Sequence, residues 1–337
     1  MSTPILPSNP SPARSLYATR PGALPARFRR LRVLIVGCGD IGLRVAQALP
    51  ARVRLLALTS SVERTAELRQ RGITPLAGNL DAPASLRRLG GLAHRVLHLA
   101  PPPDEGWTDP RSLALTRALG LRSRPDALVY ASTSGVYGDC HGDVAIETRA
   151  THADTARARR RIDAENIVRF FGRASGVRSS ILRIPGIYAP DRLNGTPQAR
   201  LIKGTPVLQA DDDVYTNHIH ADDLARACVA ALWRAGPQRI YNVNDDTCLK
   251  MGDYFDLAAD LYGLARPPRV PRSTASAHLS LMLLSFMSES RRMDNTRLKR
   301  ELQLALRYPT VAEGLLARAP GANLDTLHSA AASRKVA

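Results

Sequence analysis

Lysine is almost missing from this chain of 337 residues: of its 47 basic residues only Lys203, Lys250, Lys299 and Lys335 are not arginine. Aromatic residues are scarce too, at 5%, which leaves little material for stacking on unpaired bases. The four cysteines (Cys38, Cys140, Cys228, Cys248) are widely spaced and form no C-x-x-C pair. A disulfide framework and a structural zinc site are therefore not expected, and no metal site is assigned. No apolar run approaches the ~18 residues that a bilayer-spanning helix needs. The longest, Leu279 to Met287, is short and broken by serines. No membrane partner is expected, and the chain reads as cytoplasmic.

Acid is also in short supply, with 30 Asp+Glu against 47 Lys+Arg and a net charge of +17. Such a balance raises nucleic acid as a partner. No groove-reading or base-stacking motif accompanies the charge, so no nucleic-acid partner is expected. Residues 1–30 hold six prolines, five arginines and no Asp, Glu or Lys. That composition reads as a disordered basic arm, with an organellar transit peptide or an over-long start as the other readings. Residues 319–337 carry few large apolar groups and read as a flexible tail.

What is present is an alternation of short apolar, β-rich runs with helical patterns. Strands are expected at Arg32–Val36, Arg54–Leu58, Leu76–Ala77, Arg95–Leu99, Ala127–Ala131, Ser180–Ile184 and Arg239–Val243. Helices are expected at Ile41–Leu49, around Val62–Arg71, and through Ile162, Ile167, Val168 and Phe171. Strands separated by helices imply a Rossmann-like, doubly wound parallel sheet of the α/β class. The dinucleotide-binding domain is placed at 31–190. A smaller C-terminal substrate lobe follows at 191–318, with one strand near 239–243 returning to the sheet. Ligands in such folds sit over the carboxyl ends of the strands.

The first run leads directly into Gly37-Cys38-Gly39-Asp40-Ile41-Gly42, a G-x-G-x-x-G. The string alone is weak evidence; its place between a strand and a helix is what a dinucleotide pyrophosphate requires. Gly37 permits the tight turn, Gly39 lets backbone approach the phosphates, and Gly42 lets the helix pack on the strand. The helix N-terminus at Asp40 and Ile41 supplies N–H donors and the positive end of the dipole. At the end of the second strand, where an NAD site usually has an acid for the ribose 2′-OH, stand Thr59, Ser60 and Ser61, with Arg64 a turn later. Hydroxyls and a guanidinium suit a 2′-phosphate, so NADP is favoured over NAD. A solvated helix charge is the competing reading of Arg64.

With these residues in place, the chain resembles the extended short-chain dehydrogenase/reductase superfamily, the NAD-dependent epimerase/dehydratase group, over about residues 31–318. Gly78-Asn79-Leu80-Asp81 resembles the family's G-D-L-x-D, which implies that Asp81 contacts the adenine. His98-Leu99-Ala100 resembles the fourth-strand H-L-A and implies that Leu99 and Ala100 pass under the cofactor. Ser132 to Gly138 resembles S-S-x-x-V-Y-G, and Leu182 to Pro190 resembles L-R-x-x-x-x-Y-G-P. Asn217 to Asp223 resembles R-x-x-H-V-x-D-x. Thr133 at a strand end is then placed to bond a substrate carbonyl or hydroxyl, with local backbone capping as its other reading. Pro185 would let the nicotinamide ring lie close. His220 reads as a structural hydrogen-bonding histidine, and Asp222 as the cap of a helix from Leu224 to Trp233.

The family's catalytic Tyr-x-x-x-Lys has no counterpart here. Counting from Thr133 and from Glu165 puts Arg157 at the Tyr position and Arg161 at the Lys position, and no tyrosine or lysine lies between Thr148 and Tyr188. Arginine cannot surrender a proton near neutral pH. Arg157 can still stabilise an oxyanion or bind a substrate carboxylate or phosphate, and Arg161 can keep the ribose bonds of the lysine. Tyr137 and Tyr188 are the candidate replacement acids, with structural packing around a wet hydroxyl as their other and favoured reading; a solvated basic face is the plain reading of the arginine run. Two functions remain open. One is an NAD(P)-dependent oxidoreductase or epimerase acting on a small carbonyl or sugar-like molecule. The other is a non-catalytic dinucleotide-binding sensor or scaffold. The resemblance also suggests a homodimer formed through helices beside the fifth strand.

Overall fold

The computed structural model describes residues 30–193 and 195–317, and the described residues from Leu31 onward form one compact unit. The expectations for the arm at 1–30 and the tail at 319–337 fall outside the described residues, Arg30 apart. Seven strands make the central sheet: β1 (Arg32–Val36), β2 (Arg54–Thr59), β3 (Thr74–Ala77), β4 (Arg95–His98), β5 (Ala127–Thr133), β6 (Arg178–Ile184) and β7 (Arg239–Asn242). Every pairing is parallel, and the order is β7-β6-β5-β4-β1-β2-β3. The central strands are near-continuous apolar runs because both faces are covered. In β1, Val33, Leu34, Ile35 and Val36 are all buried.

One face packs on α1 (Asp40–Ala48), α6 (Ala221–Arg234) and α9 (Thr296–Leu302), through Val45, Leu224 and Leu298. The other face packs on a 3-10 segment at Pro83–Leu89, on α3 (Pro110–Gly120) and on α4 (Ala156–Ser175), through Leu86, Leu115 and Val168. The strand order reverses between β1 and β4, and the crevice outside their carboxyl ends is where such sheets hold ligands. Among the described residues no helix is long and apolar enough to cross a membrane.

The second lobe is not one continuous stretch. Residues 191–220 leave the sheet, α6 and β7 return to it, and the chain leaves again for α7 (Met251–Tyr262) and α8 (Leu281–Phe286). The lobe also holds α5 (Gln198–Ile202) and α10 (Val311–Leu315). Its own apolar cluster joins Leu201, Tyr254, Phe255, Val311 and Leu315.

The start of α6 corrects one expectation. His220, not Asp222, caps the helix: its Nδ1 accepts from the Asp222 N–H at 3.2 Å. Asp222 instead lies in the first turn, where its carboxylate is favoured by the helix dipole and binds Arg44 at 2.5 Å.

Candidate functional site

The glycine loop divides its roles by geometry. Gly37 has φ +84°, which favours glycine. A Cβ there would lie 2.4 Å from the Ala100 nitrogen, so the ends of β1 and β4 are in close contact. That contact brings Leu99 and Ala100 against the loop, and both donate their N–H to the Val36 carbonyl. A Cβ on Gly39 would meet nothing within 4 Å: open space lies beside the backbone that opens α1. A Cβ on Gly42 would press on Cys38 Sγ at 3.2 Å and on an Ile35 methyl at 3.3 Å, so the helix sits tightly on the strand. Turn, open cradle and close packing are the three features that a pyrophosphate at a helix N-terminus needs, and these residues fit a dinucleotide.

Around that cradle the other candidates are already engaged. Thr59 ends β2 and its hydroxyl accepts from the Ser61 N–H at 3.2 Å, while Ser60 is exposed. Arg64 opens α2 (Arg64–Gln70) with Nε 3.5 Å from Glu67, a loose pair. Asp81 is gripped by Arg111 in a two-bond fork, both contacts at 2.7 Å. That fork holds the Asp81 carboxyl below the usual carboxylate range. An adenine amino group at Asp81 would share the carboxylate with Arg111. Asp40 pairs with Arg44 at 3.1 Å and with Arg192 at 2.7 Å, so a side chain from the loop after β6 reaches the first turn of α1.

Arg192 also lines a cleft of about 720 Å³, a size suited to a small organic ligand. Its walls bring Thr133 together with Arg157, Arg161 and Pro185. Thr133 stands at the end of β5, where its hydroxyl accepts from the Gly135 N–H at 3.3 Å. Thr155 caps α4 through the Ala158 N–H at 3.2 Å and faces the same cleft. The arginine run fans around the first turns of α4, because each residue advances about 100°. Arg157 faces the cleft over the Phe286 ring, 4.8 Å away. Arg159 covers Trp107, and Arg160 is buried with Nη1 on the Gly106 carbonyl. Arg161, four residues after Arg157 and so on the same side, donates to the Ala131 carbonyl at 2.7 Å and to the Tyr130 hydroxyl at 3.1 Å. It braces α4 against β5 as well as lining the cleft.

Tyr137 does not reach this cleft. It is 1% exposed, its hydroxyl donates to Asn242 Oδ1 at 2.7 Å, and Arg183 lies over its ring. Burial pushes its phenol above the ordinary value, the wrong direction for an acid. Tyr188 is likewise buried, with its hydroxyl on the Thr310 carbonyl. Both tyrosines sit next to strand-end turns in the sequence, but their side chains point into apolar packing. The phenol that does line the cleft is Tyr215, which the motif reading missed because it lies in a two-residue strand outside any of the motifs.

Beneath the cleft lies a buried polar knot. Glu165 accepts from Ser132 Oγ at 2.6 Å and from Arg183 at 3.2 and 2.8 Å. Both members of this ion pair are 3% exposed. The knot ties the middle of α4 to the ends of β5 and β6, and thereby sets where Arg157 and Thr133 stand.

Comparison with known proteins agrees with this architecture. A sequence model of the NAD dependent epimerase/dehydratase family matches residues 33–244. A search of curated proteins finds no match. Among solved structures, a functionally unknown conserved protein from Silicibacter pomeroyi is similar at 27% identity, with 84% of this chain and 96% of that chain covered and a TM-score of 0.69. A UDP-glucose 4-epimerase from Thermotoga maritima is similar at 19% identity, with the same coverage and a TM-score of 0.66. A UDP-glucose 4-epimerase from Thermus thermophilus, in complex with NAD, is similar at 21% identity, again over 84% and 96%, with a TM-score of 0.65. The last two show likeness of fold alone. With the family match spanning well over half of its length, the chain belongs to the NAD dependent epimerase/dehydratase family.

Proposed function

We propose that this protein is an NAD(P)-dependent oxidoreductase or epimerase that acts on a small carbonyl or sugar-like substrate without the family's tyrosine–lysine pair. The observation that carries the reading is the pairing of an open glycine cradle at Gly39 with a separate, ligand-sized cleft that collects Thr133, Arg157 and Pro185. A bound nicotinamide dinucleotide supplies hydride exchange; the solved Thermus epimerase carries NAD. In this chain Gly37, Gly39, Gly42 and the first turn of α1 at Asp40 and Ile41 hold the pyrophosphate. Leu99, Ala100 and Pro185 flank the rest, and Asp81 stands at the adenine end.

In the cleft, Thr133 bonds the substrate oxygen and Arg157 stabilises negative charge that develops on it. The missing general acid removes a contribution typically worth about 10²–10⁴-fold. Tyr215 is the phenol the cleft offers for proton transfer. Arg161 combines bracing of β5 with a ribose contact. NADPH oxidation across a panel of carbonyl, sugar-nucleotide and 2-oxo acid compounds tests the reading. With a substrate in hand, Arg157→Ala is expected to lower kcat by about 10²–10³-fold, the scale of a lost oxyanion donor. Unaltered turnover in Arg157→Ala would remove it from the site.

NADP is the favoured dinucleotide, because no carboxylate stands at the end of β2 and Thr59, Ser60 and Arg64 can meet a 2′-phosphate. Arg64→Ala is expected to weaken NADPH about tenfold while sparing NADH, as read by nicotinamide fluorescence titration. Equal weakening of both would assign Arg64 to helix stability instead. Pairing of two copies through α3 and α4 belongs to the same proposal: Leu113, Leu121 and Phe170 lie exposed on or beside these helices.

A second reading has its own support. The arginines at both catalytic positions, one of them bonded to β5, suit a non-catalytic dinucleotide-binding sensor or scaffold. Dinucleotide binding without turnover of any panel compound would favour it.

A further inference from the structure

Asp40 is an unexpected residue for the place it holds. It opens α1 beside the empty space at Gly39, yet its carboxylate, 44% exposed, repels the phosphates for which that cradle is shaped. Two arginines answer it. Arg44, one turn along α1, donates to Asp40 at 3.1 Å, but it also serves Asp191 at 2.7 Å and Asp222 at 2.5 Å. Arg192 donates from Nε to Asp40 at 2.7 Å and from Nη1 to the Ile187 carbonyl at 2.6 Å. An acid and a base of α1 thus meet a base and an acid of the loop at 189–195. That loop is compact: the Ala189 N–H donates to the Gly195 carbonyl at 3.1 Å, and a Cβ on Gly195 would lie 2.5 Å from the Ala189 oxygen. Arg44 with Asp191 and Asp222 already ties the loop to α1 and α6, and a further exposed ion pair adds little stability. Fastening alone does not account for Arg192.

The two bonds of Arg192 mark out a position. Asp40 follows Gly39, at the pyrophosphate end of the proposed cofactor. Ile187 lies two residues beyond Pro185, at the nicotinamide end. The guanidinium therefore bridges the gap between the two. Its Nη2 has no partner among the described residues, and the side chain is 24% exposed and lines the cleft. We propose that Arg192 is a dinucleotide-binding residue supplied by the substrate lobe, with Nη2 donating to the phosphate on the nicotinamide side of the pyrophosphate. Asp40 then becomes an orienting group. It holds Nε while Ile187 holds Nη1, and the rigid plane of the guanidinium leaves Nη2 one direction to face. The pyrophosphate is met from both sides, by the helix N-terminus on the sheet and by a charge-assisted donor on the lobe. The inference rests on the proposed dinucleotide and adds to the glycine loop a contact that no part of the G-x-G-x-x-G string encodes.

The test is titration of the full chain with NADPH and NADH by nicotinamide fluorescence, beside Arg192→Met, Arg192→Lys and the double variant Asp40→Asn, Arg192→Met. Arg192→Met is expected to bind about ten- to hundredfold more weakly, the loss of a charge-assisted hydrogen bond, and Arg192→Lys less so. Melting temperature should change little, because the pair with Asp40 is exposed. The double variant should recover only part of the affinity, since it removes the repulsive carboxylate without restoring the donor. Full recovery would mean that Arg192 only neutralises Asp40, and would overturn the inference. So would binding by Arg192→Met equal to that of the unaltered chain, or a loss of affinity that merely follows a fall in melting temperature. Failure of the unaltered chain to bind either dinucleotide counts against the proposed function and removes this contact with it; equal binding by Arg192→Met counts against the contact alone.

Discussion

Arg183→Met is expected to cost about 3–5 kcal/mol of folding stability, the scale for leaving one charge of a buried pair without its partner. Glu165, 3% exposed in the intact protein, would then keep only Ser132 as a side-chain donor among the described residues. In the intact protein burial disfavours the Arg183 cation, and the two hydrogen bonds it donates to Glu165 more than offset that. The pair does not make the core more stable than apolar packing would; two ions are taken out of water to form it. Hence the double variant Glu165→Leu, Arg183→Met is expected to recover part of the loss of the single variant. Urea denaturation of the three proteins measures this. A loss under about 1 kcal/mol for Arg183→Met would show that water reaches the pair. The same variant is expected to disturb the cleft, since the knot joins α4 to the strand that ends in Thr133.

Gly37→Ala and Gly39→Val should fail in opposite ways. At Gly37 a Cβ meets the Ala100 backbone at 2.4 Å with φ at +84°, so the alanine must push β1 and β4 apart. Strain and overpacking together cost about 2 kcal/mol or more, whether or not a cofactor is present. At Gly39 the backbone is extended (φ −82°, ψ −152°) and a Cβ enters empty space. Valine there should leave stability within about 0.5 kcal/mol. Its methyls would fill the space into which the phosphates must come, and dinucleotide affinity should fall about ten- to hundredfold. Thermal melting and nicotinamide fluorescence separate the two effects. Equal loss of stability in both variants would mean that the loop is only a tight turn.

The strands were legible because each is a short apolar run closed by a turn signal: RVLIV, RLLAL, RVLHL and ALVYA lie where β1, β2, β4 and β5 form. The glycine spacing was legible because each position answers a distinct steric demand. What escaped was decided by tertiary contacts. Tyr137 looks like a cleft residue in the sequence, and only the distant Asn242, 105 positions on, shows where its hydroxyl goes. The cap of α6 slipped by two residues because histidine seldom fills the role that aspartate usually takes. Arg157 and Arg161 share a side of α4 by helical spacing, which the sequence does show, but which of the run faces a cleft depends on how α4 docks.

The most direct measurement is titration of the unaltered protein with NADPH and NADH by nicotinamide fluorescence, with Gly39→Val as the paired control. Saturable binding, tighter for NADPH and lost in Gly39→Val without loss of melting temperature, is the expected result. Absence of binding by either dinucleotide, or equal binding by Gly39→Val, would contradict the assignment of the glycine loop as a cofactor site.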